Sequence, residues 1–357
     1  MAAACSTISA QVLAPTLRSK TYPHNVTIST LEILYFMSRV PEALKVWRKD
    51  VGEAFNDSRF FNSSSLPLAE EGWLPVLRQW ALLDKDRMPD LLSRISSPTS
   101  AGIMFGVGAS SARLEADRKT QLNLRRLALL VMAGADDSFI GNLNVIQEKL
   151  SELMSATATS SPSSAIRAEL YMLLRALLLK TSSVNLVPFW PTINSELYEA
   201  VSSLFPGQQR DHHSTSGVLQ ACKLLDTLLV LAPDDFQLRE WIYISDTIDA
   251  VYRPSNWEPV ALVDELVEAL DSQAGMHQTT PTPTISGLTQ TGTRKPLLGP
   301  DVVRGVPTAE IIDRVLRPFF RQLSITAFES IYSMEVPDRK ACHDNLLCDI
   351  FDESTIA

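Results

Sequence analysis

The chain contains 357 residues, of which 45% are apolar and 20% charged, and its formal net charge is −9 at pH 7. This is the composition of an ordinary globular protein, long enough for one large domain or two smaller ones. The acidic balance argues against a dedicated nucleic-acid-binding protein, which usually carries a basic surface.

The most apolar stretch, residues 169–180, reads ELYMLLRALLLK and contains Arg175 between charges at both ends. A charge near the centre of a membrane span costs about 2.5–3.5 kcal/mol, so this stretch is predicted to be a buried helix. The N-terminus lacks the continuous apolar segment of a secretory signal, and the 4 scattered cysteines are too few for a disulfide framework. The sequence therefore predicts a cytosolic protein with reduced thiols.

Apolar residues recur at helical spacing in most segments, whereas the alternation typical of strands is rare. The sequence predicts helices at 28–39, 41–56, 68–83, 87–95, 111–133, 137–154, 164–180, 184–204, 216–231, 236–250, 257–271, 308–323, 324–334 and 338–351. Residues 96–110 and 205–216 are predicted to be loops, and residues 1–27 a flexible N-terminus. Residues 273–307 are rich in Thr, Pro and Gly, and are predicted to form a disordered linker because they bury too little apolar surface.

A repeat of about 47 residues relates two predicted helical hairpins. IQEKLSELM (146–154) aligns with INSELYEAV (193–201), and LALLVM (127–132) aligns with LRALLL (174–179). The second helix of each hairpin has apolar residues at the same spacing: Phe139, Leu143, Ile146, Leu150 and Leu153 in one, and Leu186, Trp190, Ile193, Leu197 and Ala200 in the other. Gly141 and Pro188 occupy equivalent positions and are expected to weaken both helices at the same place.

A third, fainter copy begins at LLVLAPDDFQLREW (228–241), which follows the pattern of residues 177–190. Paired helices at this period are typical of HEAT and armadillo repeats. We therefore predict an all-α fold with a HEAT/armadillo-like solenoid of helical hairpins over 28–272. The turns GADD and KTSS are expected to cap the helices that follow them.

The C-terminal helices over 308–357 carry an apolar stripe. The stripe consists of Ile311, Ile312, Val315, Leu316, Phe319 and Phe320. An apolar patch of this size favours association when it is exposed. The tail is therefore predicted to cap the end of the solenoid or to dock onto a second copy in a swapped homodimer.

No motif of a known catalytic, metal or cofactor site was found, and no such residue is predicted. Cys342, His343 and Cys348 lie close in sequence, but on a helix the two cysteines fall on different faces, so a zinc site is disfavoured. The acidic pairs at 136–137 and 234–235 occupy equivalent turns of the repeat, where capping explains them. A hydrolase or metalloenzyme remains only a third alternative.

Two surfaces are candidates for binding. A protein partner would contact the second helices of the hairpins (137–154, 184–204 and 236–250), as in other solenoids. The candidate partner-binding residues on them are Glu148, Lys149, Glu196, Tyr198 and Glu199. The other surface is a basic cluster that suits the headgroup of an anionic lipid, a phosphoinositide. The alternative is that this cluster is a solvated helix face paired with Glu115 and Asp117. The candidate lipid-headgroup residues are Arg118, Lys119, Arg125 and Arg126.

Several distinctive stretches between residues 28 and 270 resemble the C-terminal region of the Dopey family. They include VWRKDVGEAFNDSRFF, WLPVLRQWALLDKDRMPDLLSRI, LLRALLLKTSSVNLVPFWPTINSELYEAV and ACKLLDTLLVLAPDDFQLREWIYI. The resemblance implies a fragment of a very large, non-enzymatic trafficking scaffold without cofactors. It would lie on the cytoplasmic side of Golgi, trans-Golgi and endosome membranes as a peripheral protein and serve endosome-to-Golgi recycling.

The resemblance also implies partners. These are a large Arf-exchange-factor-like scaffold, a phospholipid flippase of the P-type ATPase class, and, in animals, kinesin and phosphatidylinositol 4-phosphate. Nucleic acid is not among the expected partners. The sequence thus favours a protein-binding scaffold domain, with an anionic-lipid-binding module as the alternative.

Overall fold

The computed structural model describes residues 2–95, 109–154, 164–207, 213–273, 292–333 and 335–356. Helices account for 75% of the structure and strands for 1%, which confirms the predicted all-α, solenoid-type fold. The chain divides into two compact units, one formed by residues 1–182 with 346–357 and the other by residues 183–345.

The first unit contains nine α-helices in its described part. They are α1 (Ala2–Ile8), α2 (Ala14–Leu17), α3 (Ile28–Ser38), α4 (Leu44–Asn56), α5 (Leu74–Leu83), α6 (Arg87–Ser93), α7 (Ala109–Ala133), α8 (Leu143–Met154) and α9 (Ser164–Lys180). π-helical turns at Ser9–Leu13 and Ala69–Trp73 lead into α2 and α5. Helical 3-10 turns lie at Pro41–Ala43, Ser63–Leu68, Ile140–Asn142 and Glu353–Thr355.

The second unit contains the other α-helices of the described residues. They are α10 (Ser183–Leu186), α11 (Trp190–Ser202), α12 (Thr215–Leu231), α13 (Asp234–Gln237), α14 (Ile248–Tyr252), α15 (Leu262–Gln273), α16 (Pro300–Val303), α17 (Arg317–Tyr332) and α18 (Arg339–Ile350), whose last residues belong to the first unit. Its 3-10 turns are Val187–Phe189, Glu240–Ile242 and Thr308–Glu310, and a π-helical turn at Ile312–Leu316 precedes α17. The strands β1 (Thr293–Arg294) and β2 (Val336–Pro337) form a short parallel pair.

The predicted repeat is visible in the local structure. Both second helices begin with a 3-10 turn, at Ile140–Asn142 and Val187–Phe189, and continue as α8 and α11. These turns contain Gly141 and Pro188, the residues expected to weaken the helices, since glycine costs backbone entropy and proline lacks an N–H donor. The equivalent core residues Leu150 and Leu197 are 2% and 0% exposed.

The third repeat departs from the prediction of one helix over 236–250, which is replaced by α13, the 3-10 turn and α14. The buried carboxylate of Asp264 explains the break. It accepts hydrogen bonds from Ser245 N at 3.2 Å and Ser324 Oγ at 2.8 Å, and Thr247 caps α14. A buried carboxylate needs several hydrogen-bond donors. The backbone at residues 244–247 is therefore not helical, and the N–H group of Ser245 donates to Asp264.

The N-terminal segment 1–27 is helical and packed, which corrects the prediction that it is flexible. Leu13 and Leu17 are buried, and Asp50 of α4, itself 2% exposed, accepts hydrogen bonds from Ser9 Oγ and from Arg18 Nη2. Tyr22 Oη donates to the carbonyl oxygen of Ala54 at 3.1 Å. The polar residues that made this segment look flexible are therefore bonded to α4.

The end of the predicted linker 273–307 is also structured, while its residues 274–291 lie outside the described residues, as do 96–108 and 208–212 of the predicted loops. Asp226 of α12 accepts hydrogen bonds from Leu297 N at 3.1 Å and Leu298 N at 2.8 Å, and Leu298 is 1% exposed. Residues 292–298 are thus fastened to α12 and are not a disordered linker.

The apolar stripe of the tail is covered within the second unit. Val315, Leu316, Phe319 and Phe320 are buried, and α17 packs against α14 and α15. The two helices predicted at 308–323 and 324–334 are one helix, α17, that starts near Pro318 after the π-helical turn. Proline is tolerated there because the first turn of a helix has N–H groups without helical partners.

In the first unit, α7 and α9 pack against each other along their length. In α9, all residues from Ile166 to Leu179 are buried, including Arg167, Glu169 and Arg175. Among the described residues, no helix is both long and apolar enough to cross a membrane.

The repeat register predicts unequal effects of substitutions in the second helices. Leu150→Ala and Leu197→Ala should each lower the free energy of unfolding by about 2–5 kcal/mol because they leave cavities. Glu148→Ala, at an exposed position of α8, should change it by less than about 0.5 kcal/mol. Urea unfolding monitored by circular dichroism checks this, and equal effects at all three positions would contradict the register.

The packing of α17 predicts that loss of the tail exposes apolar surface. A protein truncated after Gln273 should aggregate or bind a hydrophobic dye, because the faces of α14 and α15 lose their cover and the first unit loses residues 346–357. Phe320→Ala should lower stability by about 3–5 kcal/mol, whereas Tyr332→Ala, at a residue 62% exposed, should have little effect. A truncated protein that stays monomeric, soluble and equally stable would show that the tail is an independent arm.

Candidate interaction surfaces

The turn before α8 is tied to the turn after α9. Asp137 N donates to the carbonyl oxygen of Lys180 at 2.8 Å, and the Asp137 carboxylate accepts from Ser182 N at 2.8 Å and from Ser182 Oγ. Asp137 has a φ of 59°, a left-handed conformation that aspartate tolerates better than most residues. In the GADD turn, Asp137 therefore binds the equivalent turn of the next hairpin, a contact that the predicted capping role did not include.

The acidic pair at 234–235 lacks the predicted capping bond. Asp234 and Asp235 lie in the first turn of α13, whose N-cap is Pro233 without a side-chain hydrogen bond. Acidic side chains in that turn still interact favourably with the positive end of the helix dipole.

The candidate partner-binding residues are not equally accessible. Glu148, Tyr198 and Glu199 are exposed, and Tyr198 exposes 49% of its surface. Lys149 is half-buried, and its Nζ lies 2.8 Å from Oε2 of Glu152. Glu196 is 6% exposed, because it lies on the flank of α11 between the core residues Ile193 and Ala200. Glu196 is therefore corrected to a buried position that a partner would not contact.

The candidate lipid-headgroup residues do not form one surface. Arg118 is half-exposed and Lys119 is exposed, with its Nζ at 3.6 Å from Glu115. Arg125 and Arg126 are 0% and 6% exposed. The hypothesis of a headgroup site is wrong for these two, because both guanidinium groups are bonded inside the protein.

Arg125 joins three parts of the first unit. Its Nε lies 3.1 and 3.0 Å from the two carboxylate oxygens of Glu169 on α9. Its Nη1 donates to the carbonyl oxygens of Ile350 at 3.2 Å and Asp352 at 2.8 Å, and its Nη2 donates to Thr355 Oγ1 at 2.8 Å. Burial raises the pKa of the Glu169 carboxyl, and the charge of Arg125 opposes that rise.

Arg126 closes the end of α4. Its Nε donates to the carbonyl oxygen of Phe55 at 2.8 Å, and its Nη2 donates to that of Asn56 at 2.9 Å. The last carbonyl groups of a helix have no partner within the helix and carry the negative end of its dipole. Burial, with Arg87 and Arg94 nearby, lowers the pKa of Arg126 to about 10, so the group remains charged at neutral pH.

A charged cleft lies beside the same helix end, between α4, α5 and α6. It has a volume of about 770 Å³. Its lining residues are Lys45, Arg48, Lys49, Gly52, Glu53, Asn56, Asp57, Trp80, Asp84, Asp86, Arg87, Asp90 and Arg94. Sequence reasoning missed this cleft, although the charge-rich stretches LKVWRKD and DKDRMPD contain most of its lining.

Arg87 is the buried cation of the cleft. Its guanidinium carbon lies 4.4 Å from the centre of the Trp80 ring, within the range of a cation–π interaction. Its Nη1 lies 3.0 Å from Asp90 Oδ2, and the same carboxylate oxygen lies 2.9 Å from Arg94. Burial lowers the pKa of Arg87 to about 10, and Asp90 opposes that change.

An exposed apolar residue recurs in the hairpins. Ile140 and Val187 occupy equivalent positions in the first two repeats, and Leu238 occupies that position in the third. Their exposed fractions are 45%, 52% and 75%. Ile140 and Val187 begin the 3-10 turns that precede α8 and α11, whereas Leu238 directly follows α13.

Comparison with known proteins identifies relatives over the whole chain. A family model described as DOP1 C-terminal matches residues 1–333. Protein dop1 of Emericella nidulans is 52% identical over 357 residues, which are 99% of this chain and 19% of that protein. Protein DOP1 of Saccharomyces cerevisiae is 28% identical over 97% of the chain, and protein pad-1 of Caenorhabditis elegans is 30% identical over 61% of it. No solved structure matches the chain.

These matches extend the resemblance seen in the sequence. That resemblance covered residues 28–270 and left the tail unassigned, whereas the family model and both fungal relatives include the N-terminus and most or all of the tail. The chain spans about a fifth of the length of its fungal relatives, 19% in each case.

The buried ion pair predicts a large cost for removing one partner. Glu169→Gln should lower the free energy of unfolding by about 3–5 kcal/mol, because it leaves Arg125 buried and charged without a counter-ion. Glu115→Gln, which removes the partner of the exposed Lys119, should cost less than about 1 kcal/mol. The double variant Arg125→Met with Glu169→Leu should recover part of the loss. Urea unfolding distinguishes these outcomes, and similar costs for both single variants would contradict the assigned role of the pair.

Proposed function

Because the chain belongs to the DOP1 (Dopey) family, we propose that it is a non-enzymatic scaffold domain of a Golgi and endosome trafficking protein. It binds protein partners through surfaces of its helical hairpins. The principal partner is a large Arf-exchange-factor-like scaffold, and the setting is endosome-to-Golgi recycling on the cytoplasmic side of the membrane. A phospholipid flippase and kinesin are further proposed partners.

The recurring exposed apolar position supports this proposal most directly. Ile140, Val187 and Leu238 are exposed, although each lies within three residues of a buried core residue of its hairpin. Val187 and Leu238 both belong to the second unit, and exposed apolar residues at equivalent sites of a repeat are suited to contact with a protein partner.

The alternative proposal, an anionic-lipid-binding module, has less support. Clusters of roughly 4–8 basic residues are needed for strong attraction to an anionic membrane. Of the four residues proposed for a headgroup, only Arg118 and Lys119 are accessible, and Lys119 already has Glu115 as a partner.

The test is capture from cytosol with the whole chain, read by mass spectrometry. The double variant Val187→Ser with Leu238→Ser should lose most of the captured Arf-exchange-factor-like scaffold, because the apolar contacts are removed while the cores of the helices are kept. Val260→Ser is a matched control, since Val260 is 77% exposed but lies outside the repeated position. Undiminished capture by the double variant, or equal loss in the control, would contradict the proposed surface.

A further inference from the structure

We propose that the charged cleft between α4, α5 and α6 is a binding site for an acidic peptide segment of a protein partner. This inference deepens the proposed function. It rests on that function in one respect, which is that the occupant of the cleft belongs to a protein. It uses a different part of the molecule from the repeated apolar positions.

The acidic residues of the cleft are almost all neutralised by arginines. Asp84 pairs with Arg48, with 3.3 Å between Oδ2 and Nε, and Asp90 pairs with Arg87 and Arg94. Glu53 and Asp57 pair with arginines outside the lining, with N–O distances of 2.5 Å for Arg18–Glu53 and 2.7 Å for Arg59–Asp57. Four of the five lining carboxylates therefore contribute little net negative charge to the cleft.

Two lysines of the lining keep their positive charge available. Lys45 and Lys49 are exposed, and no ion pair or hydrogen bond involves their ammonium groups among the described residues. They lie four residues apart on α4 and thus share one face of the helix. On a chain with a formal net charge of −9, this face is a local exception that attracts anionic groups.

A buried donor supplies a second, independent indication of a ligand. Arg87 is 5% exposed, and its Nε is shielded from solvent without a hydrogen-bond acceptor in the described part of the chain. A buried donor without a partner is unfavourable, and an acceptor supplied by a ligand would relieve that cost. The stacked position over Trp80 keeps the planar guanidinium group in place at the cleft wall, so an acceptor entering the cleft would find it preorganised.

The character of the lining favours a peptide over a phosphate compound. A doubly charged phosphate would concentrate its charge near Asp86, the lining carboxylate that is exposed and has no arginine partner in the described structure. An extended acidic peptide presents single carboxylates to Lys45 and Lys49 and backbone N–H donors to Asp86. Its alternation of acceptors and donors matches the mixed lining better than a concentrated negative charge does.

The experiment measures the binding of a fluorescent, glutamate-rich peptide of about ten residues, which spans up to about 35 Å when extended, to the whole chain. Fluorescence anisotropy should show saturable binding that weakens as salt is added, because the contacts are ionic. The double variant Lys45→Glu with Lys49→Glu should weaken binding at least about tenfold, which corresponds to about 1.4 kcal/mol. Both substitutions are at exposed positions, and circular dichroism verifies that the fold is unchanged.

Two further variants make the assignment specific. Asp86→Lys should tighten binding severalfold, because it replaces the unpaired acidic residue of the lining with a cation. Arg39→Glu with Arg78→Glu makes the same change in net charge at two exposed positions of the first unit outside the lining, and should alter affinity by less than about twofold. An equal loss in this control pair would show that the peptide is attracted by overall charge and would overturn the site.

A third arm separates the peptide from a membrane. Vesicles of phosphatidylcholine with phosphatidylserine should not compete with the peptide. If they do compete, and the Lys45–Lys49 variant no longer binds them, the cleft is a lipid site and the proposal is overturned. Absence of peptide binding also overturns it. That outcome leaves the scaffold function to the capture assay with Val187 and Leu238, which does not use the cleft.

Discussion

The first unit depends on the burial of charged residues in the interface between α7 and α9. Apolar side chains cover these helices so completely that Arg125, Glu169 and Arg175 have almost no contact with solvent. Charges in that position are tolerated only when each has a counter-charge and its remaining hydrogen bonds. Glu169 is the counter-ion of Arg125 across the interface, and Asp349 Oδ2 lies 2.6 Å from Arg175 Nη1.

The same requirement fixes the end of the chain. Glu169 cannot satisfy all the donors of Arg125, and the remaining ones bind the carbonyl oxygens of Ile350 and Asp352. Phe351 lies between these two residues, is fully buried, and contacts the rings of Phe60 and Phe61. Residues 346–356 are therefore part of the core of the first unit, although they are distant from it in sequence. Apolar packing alone would tolerate small shifts of this segment, whereas directed hydrogen bonds to one guanidinium group define its position.

The parts of the fold that follow from local pattern were predictable from the sequence. The helices α7, α9 and α12 and the 3-10 turns at Gly141 and Pro188 reflect hydrophobic spacing and backbone propensity, which act over a few residues. The prediction failed where a polar side chain has a distant partner. Residues 1–27 were predicted to be flexible because Ser9 and Arg18 are polar and their partner Asp50 lies 41 and 32 residues away in the sequence. The helix over 236–250 was predicted because nothing in its local pattern indicates that Asp264 takes a hydrogen bond from the backbone of Ser245.

The candidate sites were less predictable than the fold for the same reason. Arg125 and Arg126 form a basic cluster in the sequence, but their accessibility depends on a carboxylate on α9 and on carbonyl groups at the end of α4. A sign of this was present, since an apolar helix that contains Glu169 and Arg175 needs partners of opposite charge. The cleft was missed because its lining comes from three helices, none of which has a distinctive motif.

The basic residues of the first unit fall into two classes, which differ in exposure and in whether they have an ion-pair partner. Arginines fill the buried positions, since a planar guanidinium group can bind several acceptors at once and is less strongly hydrated than an ammonium group. The lysines at 45 and 49 stay at the surface, where a flexible ammonium group keeps its hydration and costs little to leave unpaired. The arginine network holds α4, α5 and α6 in place and neutralises their carboxylates. The lysines are then left with a net positive field on a rigid wall, which is the arrangement that allows a surface on an acidic protein to select an acidic partner.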